Sequence, residues 1–114
     1  MNTYDIHIKN GEVIDGTGAP KFKSDVIIDK GKIIGVFPSH HDDVREKSDN
    51  HFLSNFKARK TINAEGKIIS PGFIDVHTHD DHNVFSDPSM TCKISQGVTT
   101  CIVGNCGISL APFS

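Results

Sequence analysis

The sequence predicts a mixed α and β chain, in which a small β-sandwich portion is followed by a strand–helix–strand unit. Three observations predict it. Short β-branched runs in the first forty residues are punctuated by Asn, Gly and Pro. Residues 38–60 are polar, with acids and bases interspersed. After Pro71 two longer apolar runs flank a segment carrying helix start and stop signals. The boundary falls at Ile69, which gives a 1–69 portion and a 70–114 portion.

Tyr4-Asp5-Ile6-His7-Ile8-Lys9 alternates polar and apolar residues, as a half-buried strand does. Asn10-Gly11 separates it from Glu12-Val13-Ile14-Asp15. Asn-Gly between such runs signals a two-residue hairpin, because a type I′ turn needs positive φ at both central positions. A second hairpin is expected from Ser24-Asp25-Val26-Ile27-Ile28, the turn Asp29-Lys30-Gly31, and Lys32-Ile33-Ile34-Gly35-Val36-Phe37. Gly16-Thr17-Gly18-Ala19-Pro20 joins the two; lacking a strand-to-helix context, its glycines are turn residues and not a phosphate loop. Four short strands suggest one layer of a sandwich.

The 38–60 stretch is expected to be a surface excursion. Its acid–base run from Asp42 to Asp49 is a solvated face, and Phe52, Leu53 and Phe56 group as one or two helical turns. Thr61 to Ser70 returns to strand and turn. From Gly72 to Val76 the pattern is that of a buried strand. Asp87 is a helix N-cap ahead of Pro88 at the first helical position, and Gly97 is the matching stop, so a helix is expected over about 88–95. Residues 98–103 form a second buried strand. Strand, helix and strand in about thirty residues make a βαβ unit with parallel strands, and Gly104-Asn105-Cys106-Gly107 is a tight loop after it.

Composition narrows the function classes. The net charge of -2 leaves no electrostatic footprint for nucleic acid. A hydrophobic share of 36% and a charged share of 23% suit a soluble globular protein. No apolar stretch approaches the ~20 residues of a membrane span, and the first residues lack the basic and apolar regions of a signal peptide. A cytoplasmic protein is therefore expected. Cys92, Cys101 and Cys106 form no C-x-x-C pair, and their odd number argues against a disulfide framework.

The chemistry concentrates at the strand ends. His77 and His79 stand at i and i+2, so a strand aims both imidazoles from one face. Adjacent parallel strands bring Cys106 to the same rim, where active groups of α/β proteins collect. Two imidazoles and a thiolate suit zinc. Asp80 and Asp81 are candidates for an oxygen ligand or for a hydrogen bond that orients a histidine. Cys92 and Cys101 are expected as small core residues, and His7, His40, His41 and His51 as solvent-facing.

Tyr4-Asp5 with Lys9-Asn10-Gly11, Val13-Ile14-Asp15-Gly16-Thr17-Gly18, Pro71-Gly72-Phe73-Ile74-Asp75-Val76-His77-Thr78-His79-Asp80-Asp81, Ser95-Gln96-Gly97-Val98-Thr99-Thr100 and Val103-Gly104-Asn105-Cys106-Gly107 resemble the amino-terminal part of the N-acyl-D-amino-acid deacylases (D-aminoacylases) of the amidohydrolase superfamily. The H-x-H strand is shared across that superfamily. The Gly-Asn-Cys-Gly loop is more specific, since many relatives bridge their metals with a modified lysine from a later strand. The resemblance implies a β-sandwich built from both ends of a chain beside a metal-dependent (β/α)8 barrel. It implies that His77 and His79 serve one metal position and Cys106 the adjacent or bridging one, with one or two zinc ions. The implied reaction is hydrolysis of a small N-acyl-D-amino acid to a carboxylate and a free D-amino acid, with a general-base carboxylate on a late strand.

Such a barrel takes roughly 250 residues, and 70–114 provides two strands of eight. The chain is therefore expected to be an amino-terminal piece without its general base and inactive alone, and to self-associate or accept a completing chain through its exposed faces. The alternatives are a fragment of a cyclic-amide hydrolase, dihydroorotase- or hydantoinase-like, against which Cys106 speaks, and a noncatalytic β-rich association module.

Overall fold

The computed structural model describes residues 2–38 and 56–110. His40, His41, His51, Phe52 and Leu53, with the expected solvated face from Asp42 to Asp49, lie outside the described residues. The chain divides into two compact units, Met1–Pro71 and Gly72–Ser114.

The first unit is one sheet organised around β1 (Asn2–Val13). Strand β2 (Phe22–Asp29) runs antiparallel to β1, and β3 (Lys32–Pro38) antiparallel to β2. Strand β4 (Phe56–Asn63) lies parallel to β1, and β5 (Ile68–Ile69) pairs with the end of β1. The order is β3-β2-β1-β4. Among the described residues this unit is a single sheet, without the second layer that a sandwich requires.

Asn10-Gly11 is not a hairpin turn. β1 runs through it, and the pairing steps from Ile8↔Val26 to Gly11↔Ser24, so one extra residue is taken up as a bulge. Asn10 has φ 64; the left-handed tolerance that recommends Asn for a type I′ turn serves the bulge equally. Asn10 N–H donates to Asp25 Oδ1 at 3.1 Å and its amide to Asn63 Oδ1 at 3.0 Å, which ties the bulge to both neighbours. A Cβ on Gly11 would stand 2.4 Å from Ile69 Cδ1, so any larger residue there would have to displace the Ile69 side chain. The second hairpin forms as its sequence predicts, with Lys30 at φ 50 and Gly31 at φ 72. Phe56 opens β4 in register with Asn2 instead of closing a helical turn. A ladder along β1 satisfies its backbone, whereas a grouping of three apolar residues cannot support a helix nucleus.

Ile27 is fully enclosed at 0% exposure, with Val13, Val26 and Ala64 also buried. Its partners across the sheet are His7 and Gly35. His7 is therefore not solvent-facing: it shares the Ile27 face, and its Nε2 lies 2.7 Å from Asp25 Oδ2. Asp25 stands two residues from Ile27 on the same face of β2, so strand alternation delivers the partner.

The second unit pairs β6 (Phe73–Asp75) with β7 (Val98–Cys101) in parallel, with Ile74↔Thr100 and Asp75↔Cys101 in register. Two one-turn helices, α1 (Asn83–Ser86) and α2 (Thr91–Ile94), replace the single helix expected over 88–95. Asp87 is not the N-cap, a position that falls to Met90; it closes α1, and its carboxylate accepts Ser89 N–H at 3.1 Å and Thr91 N–H at 2.8 Å. Met90, at φ 49, prevents continuity between Pro88 and Thr91. Gly97, at φ 81, ends the helical segment as expected. Cys92 is exposed and Cys101 half-buried, so Cys92 is not a core residue; α2 buries none of its side chains. Phe73, Ile74, Val76 and Phe85 are all exposed in this unit, as are Ile33, Ile34 and Val36 in the first. No helix among the described residues is long and apolar enough to cross a membrane.

Candidate metal centre

Past the end of β6 the chain stays beside β7. Ile102 N–H donates to Asp75 O at 2.8 Å, and Thr78 N–H donates to Ile102 O at 3.3 Å. The strand itself ends at Asp75, and in the bend that follows Thr78 is buried while His77 and His79 on either side are exposed. The two imidazoles meet edge to face with ring centroids 5.9 Å apart. Asp75 steadies the first of them by accepting His77 N–H on Oδ1 at 3.2 Å.

Cys106 reaches the same point from the loop after β7. Gly104 at φ 82, Cys106 at φ 58 and Gly107 at φ 70 fold this loop through three left-handed residues. A non-glycine residue in that region costs on the order of 1 kcal/mol, so the neighbourhood must hold it. Asn105 does so. Its side-chain amide donates to Ile102 O at 2.8 Å and to Thr78 O at 3.2 Å, pinning the loop to the residue between the histidines. Cys106 Sγ consequently lies 3.4 Å from His77 Nε2.

One donor atom each from His77, His79 and Cys106 lies within 4.8 Å of the others. Zinc with bonds of about 2.0–2.3 Å holds tetrahedral donors about 3.3–3.8 Å apart, so a small contraction would seat one ion. Two nitrogens and a thiolate sulfur also suit zinc chemically. All three donors are exposed, which leaves an open side for water, substrate or further ligands.

Asp80 and Asp81 do not join this cluster. Asp80 is buried and faces the other way: Oδ1 accepts the Asn83 amide at 2.7 Å, while Oδ2 takes Lys93 Nζ at 2.8 Å and the Thr78 hydroxyl. Its effect on the histidines passes through Thr78. Asp81 Oδ2 accepts Leu110 N–H at 2.9 Å, and its enclosed Oδ1 has no hydrogen-bond partner among the described residues.

Lys93 is the residue that sequence reasoning missed. From α2 its Nζ lies 2.6 Å from Asp75 Oδ2 and 2.8 Å from Asp80 Oδ2. A signal existed: Lys93 is the only Lys or Arg in residues 72–114, and two acids bracket the H-x-H. The Lys93 ammonium, followed by the Thr78 hydroxyl, holds the Asp80 carboxyl down at about 2. The same ammonium, then His77 N–H, lowers Asp75. Lys93 in turn is raised above the ordinary lysine value, first by Asp75 and then by Asp80. All three groups are charged at neutral pH.

Residues 60–112, which contain all these side chains, match the Amidohydrolase family. Over that stretch the chain is similar to the amidohydrolase family. Within it, the chain is similar to the amino-terminal portion of the D-aminoacylases. It is 37% identical to a D-aminoacylase of Alcaligenes xylosoxydans xylosoxydans over 97% of this chain and 20% of that protein. A crystal structure of N-acyl-D-glutamate deacylase from Bordetella bronchiseptica, complexed with zinc and a phosphonate mimic of the tetrahedral intermediate, superposes with a TM-score of 0.79. It is 40% identical over 97% of this chain and 20% of its own. A D-aminoacylase structure with a binuclear metal centre gives a TM-score of 0.75 at 45% identity, over 96% of this chain and 20% of its own. The chain thus spans about 20% of the length of the relatives it matches.

Proposed function

We propose that this chain is the metal-ligand-bearing amino-terminal part of a zinc-dependent N-acyl-D-amino-acid deacylase. The observation that carries the reading is the convergence of His77, His79 and Cys106 donor atoms within 4.8 Å, on residues drawn from two separate segments. Zinc bound there would lower the pKa of a coordinated water toward ~7 and polarise the scissile amide carbonyl.

The chain's own residues supply the cradle. His77 and His79 serve one metal position as neutral imidazoles, and Cys106 serves the adjacent or bridging position as a thiolate. Binding of a cation favours those deprotonated forms. Residues 1–69 act as part of a β-sandwich, and 70–114 as the first strand–helix–strand of a (β/α)8 barrel. The apolar faces around Ile74, Val76 and Phe85 are covered in the working enzyme by further barrel elements or by another chain. The substrate is a small N-acyl amino acid, and the setting is the cytoplasm.

The test is an assay of the protein purified from its native cell on N-acetyl-D-amino acids and their L counterparts, with and without a chelator. Release of free amino acid should be selective for the D series, abolished by the chelator and restored by zinc. Metal-independent release, or no preference for D substrates, would overturn the reading.

A further inference from the structure

We infer that Lys93 is a positioning residue for the metal ligands: its ammonium clamps Asp75 and Asp80, the two carboxylates that bracket His77-Thr78-His79, and so sets the geometry of that segment. The inference rests on the metal reading above and deepens it.

Each arm of the clamp reaches the H-x-H segment in one further bond, one at the His77 backbone and the other at the Thr78 side chain. On one side Lys93 Nζ holds Asp75 Oδ2 at 2.6 Å, and Asp75 Oδ1 accepts His77 N–H at 3.2 Å. On the other side Lys93 Nζ holds Asp80 Oδ2 at 2.8 Å, and that same oxygen accepts the hydroxyl of Thr78, the residue between the histidines. The three side chains are only 21%, 28% and 9% exposed, so water screens them poorly. Two carboxylates converging on one such spot repel each other unless a cation lies between them. No other Lys or Arg occurs in residues 72–114. Among the described residues Lys93 Nζ bonds to the two carboxylates and to none of the three donor atoms. Its action is indirect, and its removal should splay the segment from both ends.

The 114-residue chain tests this with two readouts. One is hydrogen exchange at the His77 amide in the metal-free protein, which reports the clamp without any metal. The other is titration with Co²⁺, whose thiolate charge-transfer band reports Cys106 coordination. In Lys93→Met, His77 exchange should quicken at least tenfold, and Co²⁺ affinity should fall about 10–100-fold, as with other residues that orient ligands. Lys93→Arg should recover most of both. If Lys93→Met fails to give the wild-type circular dichroism spectrum, Asp75→Asn should show both changes in smaller measure, since it removes one charged arm at constant volume. Wild-type exchange and affinity in the folded variant overturn the clamp. A wild-type chain without the band, or a band that survives Cys106→Ser, overturns the metal reading and the ligand-positioning role with it.

Discussion

Cys106 Sγ stands 3.4 Å from Nε2 of His77, across a sequence separation of 29 residues. The thiol is held there by a left-handed backbone and two glycines, so its position is built into the loop. Structural zinc binding of about 10–16 kcal/mol, spread over four ligands, is roughly 3 kcal/mol each, or about 100-fold in affinity. Cys106→Ala should therefore weaken zinc binding by about that factor in competition with a chromophoric chelator. An unaltered affinity would remove Cys106 from the site.

Asn105 carries the loop to the histidines through its bonds to Ile102 O and Thr78 O. Asn105→Ala removes this donor from Thr78 O and leaves Ile102 O with Thr78 N–H alone, and should cost about 1–3 kcal/mol in urea unfolding of the metal-free chain. The same variant should bind zinc about tenfold more weakly, because Cys106 loses its register with His77. A variant as stable as wild type would mean that the loop holds itself.

The parts of this arrangement that were legible in the sequence are those set by residue spacing and parallel pairing. His77 and His79 flank a buried Thr78 in the bend just past β6, not on the strand itself, and Cys106 comes near them from the loop after the parallel partner β7. Illegible parts turned on competition between equally good local solutions. Asn10 suits a turn and a bulge alike, and only the long pairing of β1 with β2 selects the bulge. Pro88 suits a first helical position, but Asp87 spends its carboxylate on Ser89 and Thr91, so the helix begins later. His7 looked solvated because the alternation around it is polar; its partner Asp25 lies on another strand, which local pattern does not reveal. Asp80 follows two histidines directly, yet a lysine on α2 claims it.

Acid should expose the Lys93 network. The Asp80 carboxyl is depressed from 3.8 to about 2 in the folded chain, so the native state resists protonation there more than the unfolded state does. Its stabilising contribution is complete above the unfolded value and is lost as pH falls through the folded one. Lys93 is shifted upward from 10.5, so its contribution is complete below that value and fades only in strong alkali. Between those limits the network is constant. Thermal unfolding of metal-free wild type should therefore steepen its decline between pH 4 and pH 2, and Asp80→Asn should decline less steeply. Parallel curves for the two would refute the assignment.

Exposed apolar surface predicts association. Phe85 is 77% exposed, Val76 70% and Ile74 61%, and β7 pairs among the described residues only with β6. A cleft of about 540 Å³ in the same unit is lined by Val84, Met90, Ile94, Val98 and Val103 among others. Large apolar side chains this exposed are candidates for burial against a partner. Light scattering of the isolated chain should give masses above 12.4 kDa that rise with concentration. Phe85→Lys should reduce that rise. A concentration-independent mass of 12.4 kDa would show that these faces are tolerated in solvent.

Ile27 and Ile33 lie on adjacent strands of one sheet at opposite extremes of burial, 0% and 67% exposed. If the first unit is a single layer, truncating them must have unequal effects. Ile27 is paired with His7 and Gly35 and fully enclosed, and Ile27→Ala should cost about 2–5 kcal/mol through lost burial and the cavity left behind. Ile27→Val should cost only about 0.5–1.5 kcal/mol. Ile33→Ala should stay within about 0.5 kcal/mol, as surface substitutions do. Urea unfolding of the three variants decides the matter. A large cost at Ile33 would mean that a second layer covers that side of the sheet in solution, supplied by a neighbouring copy or by a completing chain. The comparison thus separates a lone sheet from one half of a sandwich without requiring any activity.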